Sequence, residues 1–76
     1  MEQLLEYLAK RLVDKPDEVR VVRTEREDAV VLELHVAPED VGKVIGRQGR
    51  IARALRTVVR ASAARERERV LLEIVE

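Results

Sequence analysis

The chain has 76 residues with 15 basic and 15 acidic side chains, no cysteine, one histidine and a single aromatic residue, Tyr7. That length holds one domain, residues 1–76, which buries about 60% of the surface its unfolded chain exposes, and the lack of cysteine excludes a disulfide framework or a thiolate metal centre. No apolar run approaches the roughly 20 residues that cross a bilayer, and the start Met1-Glu2-Gln3-Leu4-Leu5-Glu6 carries acid where a signal peptide carries base, so a cytoplasmic protein with no membrane partner is expected.

Along the chain, Leu4, Leu5, Leu8, Ala9, Leu12 and Val13 recur at three- and four-residue spacing and predict an amphipathic helix over Glu2 to Val13, ended by Asp14-Lys15-Pro16-Asp17. Two β-branched runs follow, Val19 to about Glu25 and Val30 to Ala37. In the second, Val30, Leu32, Leu34 and Val36 alternate with Val31, Glu33 and His35. The short polar connection Arg26-Glu27-Asp28 predicts an antiparallel hairpin. Ala37-Pro38-Glu39-Asp40 reads as a helix start, with proline at the first position and two carboxylates at the positive end of the dipole. A short helix to Ile45 is expected, then a break at Gly46-Arg47-Gln48-Gly49, then a longer helix from Arg50 to about Ala64. The final run, Arg69 to Val75, is almost continuously apolar at its centre and predicts a strand inside the sheet rather than at its edge. The order αββααβ describes an α+β domain, a three-stranded mixed sheet covered on one face by three helices.

Charge is unevenly spread. Between Val41 and Arg65 stand Lys43, Arg47, Arg50, Arg53, Arg56, Arg60 and Arg65 with no acid, so this stretch is +7 and the remainder −7. A phosphate feels mainly charges within a Debye length of about 8 Å, so such separation suits a local anion site. Two glycines between helices allow a tight turn, and the first amides of the second helix are orphan donors at a positive helix end. Arg47, Arg50 and Arg53 are the candidate phosphate contacts, with Lys43 in support. Base edges would meet Val44, Ile45 and the strand Val30 to Ala37. Aromatic stacking platforms are ruled out by composition.

The run Val41-Gly42-Lys43-Val44-Ile45-Gly46-Arg47-Gln48-Gly49-Arg50-Ile51 resembles the KH signature, Ile-Gly-x-x-Gly flanked by aliphatics, and αββααβ matches the type II KH arrangement. The whole chain resembles the bacterial single-KH family called KhpA, including the phrase Val36-Ala37-Pro38-Glu39-Asp40-Val41. That resemblance implies single-stranded RNA bound at Gly46 to Gly49, work as an RNA chaperone or post-transcriptional regulator, a homodimer, and a heterodimer with a KhpB (Jag/EloR)-like protein. Many KH domains place an aliphatic residue three positions after the second glycine. Here Ala52 stands there and Ile51 one earlier, which implies a shallower groove floor.

Other readings are weaker. A bare Gly-x-x-Gly usually marks an ordinary turn, and the glycine spacing here fits neither a dinucleotide site nor a P-loop. For Arg56, Arg60 and Arg65 a solvated helix face is the better account. His35 lacks companion ligands, and Ser62 falls on the apolar side of its helix, so neither a metal site, a cofactor, a small-molecule substrate nor an enzyme is expected. The small residues Ala54 and Ala61 beside Val58 form a helix edge suited to pairing two copies, or one copy with its partner. The rival function is a scaffold that dimerises with another KH protein and binds nucleic acid incidentally; single-stranded DNA is a further alternative ligand.

Overall fold

The computed structural model describes residues 1–75. Helix α1 spans Glu2–Leu12, strands β1 and β2 span Arg20–Glu25 and Val30–His35, helices α2 and α3 span Val41–Ile45 and Arg50–Arg65, and strand β3 spans Val70–Val75. Each element matches its predicted counterpart to within two residues except α2, which starts at Val41 rather than at Pro38. β1 and β2 form an antiparallel hairpin, closed by the Arg26 amide donating to the Ala29 carbonyl at 2.8 Å, while β2 and β3 are parallel. Parallel neighbours need a long crossover, and here it runs through α2 and α3.

The strand order β1-β2-β3 corrects one expectation, since β3 lies at an edge and β2 in the middle. The hairpin already occupies one side of β2, so the returning chain can only add to the other. The solvent side of β3 is visible in Leu71, 47% exposed, and in exposed Glu73. Val31 shows the converse. It lies outside the core between sheet and helices yet is fully buried, flanked by its register partners Thr24 and Leu71. Between sheet and helices, Leu5, Ala9, Leu32, Leu34, Val44, Leu55, Val59 and Leu72 form the core. Arg23, on the helix side of β1, ties three segments together by donating to Glu2 at 3.1 Å, Glu25 at 3.3 Å and Glu68 at 3.0 Å.

Two devices set the position of α2. The segment Pro38–Asp40 is a 3-10 turn leading into α2 rather than the first turn of one continuous helix, and Asp40 makes no cap for α2. Its carboxylate is buried and turned toward the α1–β1 connection, accepting from the amides of Lys15 at 2.9 Å and Asp14 at 3.3 Å. Lys15 reinforces the join through an ion pair with Glu39. The predicted role of the acids as dipole partners therefore gives way, at Asp40, to a cross-chain staple. The second device lies at the far end of α2, where Gly46 takes φ +77° and ψ 174°, a region nearly confined to glycine. A Cβ there would sit 2.6 Å from Ile51 Cγ1 and 2.9 Å from its Cβ. Ile51 thus fills the space that a side chain on Gly46 would take.

Gly49 differs, because its φ of +73° is left-handed but a Cβ would meet nothing within 4 Å. Gly46→Ala is therefore expected to destabilise by about 3 kcal/mol through backbone strain plus displacement of Ile51, and Gly49→Ala by about 1 kcal/mol through strain alone. Urea unfolding of both variants tests this, and equal losses would contradict it. The staple gives a pH expectation. Burial would raise the Asp40 pKa, but the amides of Lys15 and Asp14 and the Lys43 ammonium outweigh it and hold the group below its ordinary value. Its stabilisation is then present above the unfolded carboxylate pKa and is lost as pH falls through the lowered one. The thermal midpoint should fall below about pH 4, less steeply in Asp40→Asn, and identical acid limbs in the two proteins would refute the staple.

Candidate nucleic-acid interface

At the junction of α2 and α3, the Gly46 amide donates to the Gly42 carbonyl at 2.8 Å and ends α2. Residues Arg47–Gly49 form one 3-10 turn that runs directly into α3, with the Gly49 amide donating to the Gly46 carbonyl at 3.2 Å and the Arg50 amide to the Arg47 carbonyl. The expectation placed the orphan donors in the first turn of α3, but the added turn moves them forward. Among the described residues, the amides of Arg47 and Gln48 are the ones left without a backbone acceptor in this turn. Gln48 itself has φ +57°, so two successive residues, Gln48 and Gly49, are left-handed. Arg47 and Gln48 are exposed at the tip, as the sequence suggested.

The basic residues separate into two groups. Among the described residues, Arg47, Arg50, Arg53, Arg56, Arg60 and Arg65 have no carboxylate within ion-pair distance. Lys43 alone of the seven is paired, donating to Asp14 Oδ2 at 2.8 Å and to Asp40 Oδ1 at 3.5 Å. The bond to Asp14 is the main cause of its raised pKa. Arg50 donates weakly to Gln48 Oε1 at 3.5 Å and also borders a groove toward α1. Arg53 and Arg60 are exposed and Arg56 half-buried.

The apolar contacts need revision. Val44 is fully buried in the core and offers no surface to a base, whereas Ile45 is half-buried. The backbone of β2 is paired on both sides, so the strand expected to read base edges has no free main-chain groups along its length. The sheet has open edges at β1 and β3, and it is β3 against which both α2 and α3 pack. His35 lies on the helix-free side of the sheet, 3.2 Å from Glu33. Among the described residues there is no group of three His, Cys, Asp or Glu side chains able to hold a metal, and no helix is long and apolar enough to cross a membrane.

A second surface is better developed than the sequence suggested. Ala54, Val58 and Ala61 are exposed on α3, with Val58 37% accessible. Leu4, Tyr7 and Leu12 of α1 are also exposed, although the first and last were expected to join the core stripe. Between the helices runs a groove of about 420 Å³ lined chiefly by Leu8, Leu12, Ile51, Ala54, Leu55 and Val58. The helix stripe was wider than one sheet face can cover, and that excess width was the available signal.

A family profile described as "KhpA/KhpB, KH domain" matches residues 2–74. A protein of Clostridium acetobutylicum named "RNA-binding protein KhpA" is 60% identical over 75 residues, covering 99% of this chain and 100% of the relative. Proteins of the same name are 55% identical in Clostridium perfringens, with 99% and 100% covered, and 53% identical in Aquifex aeolicus, with 100% and 96% covered. No solved structure matches at a comparable level of significance. With a type II αββααβ fold and a Gly-x-x-Gly turn between its last two helices, the chain belongs to the KhpA/KhpB KH-domain family.

Proposed function

We propose that this protein binds about four nucleotides of single-stranded RNA per copy across the Gly46–Gly49 turn, and that it works as a homodimer or with a KhpB-like partner. The observation carrying this reading is the coincidence, among the described residues, of two amides without a backbone acceptor, at Arg47 and Gln48, with a run of arginines that no carboxylate pairs. Amides position a phosphate by direction, while Arg47, Arg50 and Arg53 supply charge. Ile45 offers an apolar contact, and the open edge of β3, rather than β2, offers main-chain groups to base edges. The printed names of the relatives, "RNA-binding protein KhpA", support the same ligand.

The scaffold reading draws on a different observation, the exposed apolar surface shared by α1 and α3. The two are compatible if that surface pairs subunits and the loops hold RNA, because a dimer with both sites on one strand gains avidity.

Replacing Arg47 and Gln48 together by Asp should abolish RNA retention and leave the fold intact, since both are exposed and Asp tolerates the left-handed conformation at position 48. Electrophoretic mobility shift and circular dichroism check the two halves of this expectation, and normal retention by the folded double variant would refute the site. With two to four phosphates neutralised, the logarithmic salt slope should fall near −1.4 to −2.8, from about −0.7 per phosphate on a single strand. Val58→Asp should convert a dimer to a monomer in light scattering at high micromolar concentration, whereas a wild type already monomeric there would remove the proposed edge of Ala54, Val58 and Ala61. A scaffold without an RNA role would keep its partner and its cellular effect in the Arg47, Gln48 double variant.

A further inference from the structure

Lys43 stands three residues before Gly46 on α2, the helix that leads into the Gly46–Gly49 turn. It is the nearest basic residue on the N-terminal side of the loop, and the structure engages it elsewhere. Its ammonium lies 2.8 Å from Asp14 Oδ2, whereas its contact with Asp40 is longer, at 3.5 Å. Asp40 already accepts from two amides, one of them that of Asp14 itself. Asp40 therefore fixes the Asp14 backbone, and the Asp14 side chain holds Lys43.

Resting on the RNA-binding reading above, we propose that Asp14 acts as an internal competitor for phosphate, holding Lys43 away from the nucleotide backbone and so setting the affinity of the site. The pair is open to water, with Asp14 75% and Lys43 43% exposed at the side chain. Exposed ion pairs are weak and screened by salt. A carboxylate and a phosphate oxygen present the same acceptor chemistry to an ammonium, so exchange needs a side-chain rotation and no refolding. Arg47, Arg50 and Arg53, unpaired among the described residues, contribute to binding as they stand; Lys43 contributes only when Asp14 gives it up.

The test measures binding of a fluorescent single-stranded RNA of mixed sequence by anisotropy across a salt series. It uses the wild type, Asp14→Asn, Lys43→Met and the combined Asp14→Asn, Lys43→Met protein, each checked for folding by circular dichroism. Asp14→Asn leaves the amide bonded to Asp40 in place and should bind about two- to fivefold more tightly, the range an exposed pair is worth. Its salt slope should steepen by about 0.7. Lys43→Met should erase both gains in the combined protein. Unchanged affinity in Asp14→Asn would overturn the proposal, as would a gain that survives Lys43→Met, which would mark a general field effect. If the Arg47, Gln48 double variant retained RNA normally, the site reading itself would fail and this inference with it. If that variant lost RNA while Asp14→Asn stayed unchanged, only the inference would fall.

Discussion

The contact of Ile51 with the bare Cα of Gly46 governs the geometry of the junction between α2 and α3. A side chain at position 46 would overlap Ile51 at 2.6 Å, so the close approach of α2 to α3 exists only because that position has none. Ile51 is the second residue of α3, and its seat against the turn fixes how the long helix leaves the loop. From that angle follow the exposure of Arg47 and Gln48 and the direction of the arginines beyond them. Gly49 serves otherwise, supplying left-handed backbone with open space beside it.

Electrostatics in this protein is a matter of what is already paired. A net charge of zero conceals a stretch of +7, but formal charge is not available charge. The arginines of α3 and the loop are free of carboxylates among the described residues, while Lys43, Lys15 and Arg23 are committed to joints between segments. Acid residues likewise divide into those that hold the chain together, such as Asp40 and Glu2, and those that merely face water. The balance allows a protein of zero net charge to keep arginines unpaired among the described residues along the loop and α3.

Much of this architecture could be read from residue patterns. Alternation in Val30 to Ala37, helix spacing in Leu4 to Leu12 and the glycine pair at 46 and 49 located β2, α1 and the break between α2 and α3, because each reports a local preference. What stayed hidden was set by tertiary geometry. The edge position of β3 depends on which side of β2 the hairpin had already taken, and a near-continuous apolar run does not record that. Val44 looked like a flank of the loop but faces the core, because a five-residue helix has to anchor itself by one side. The carboxylate of Asp40 was legible as a helix-start residue, yet its amide partners lie about two dozen residues earlier in the chain. The free amides were anticipated in kind and displaced in position by a single 3-10 turn.

The same staple bears on how the chain reaches its fold. Its bond from Lys15 to Asp40 joins residues 25 apart, with the β1–β2 hairpin lying wholly between them. In a disordered chain, closing a loop of that size costs entropy that one polar contact repays poorly. Once the hairpin has zipped, the same two ends are brought together by strands already ordered, and most of that cost has been met. The start of α2 can therefore dock at lower entropic cost once the hairpin is in place, with the sheet as its template.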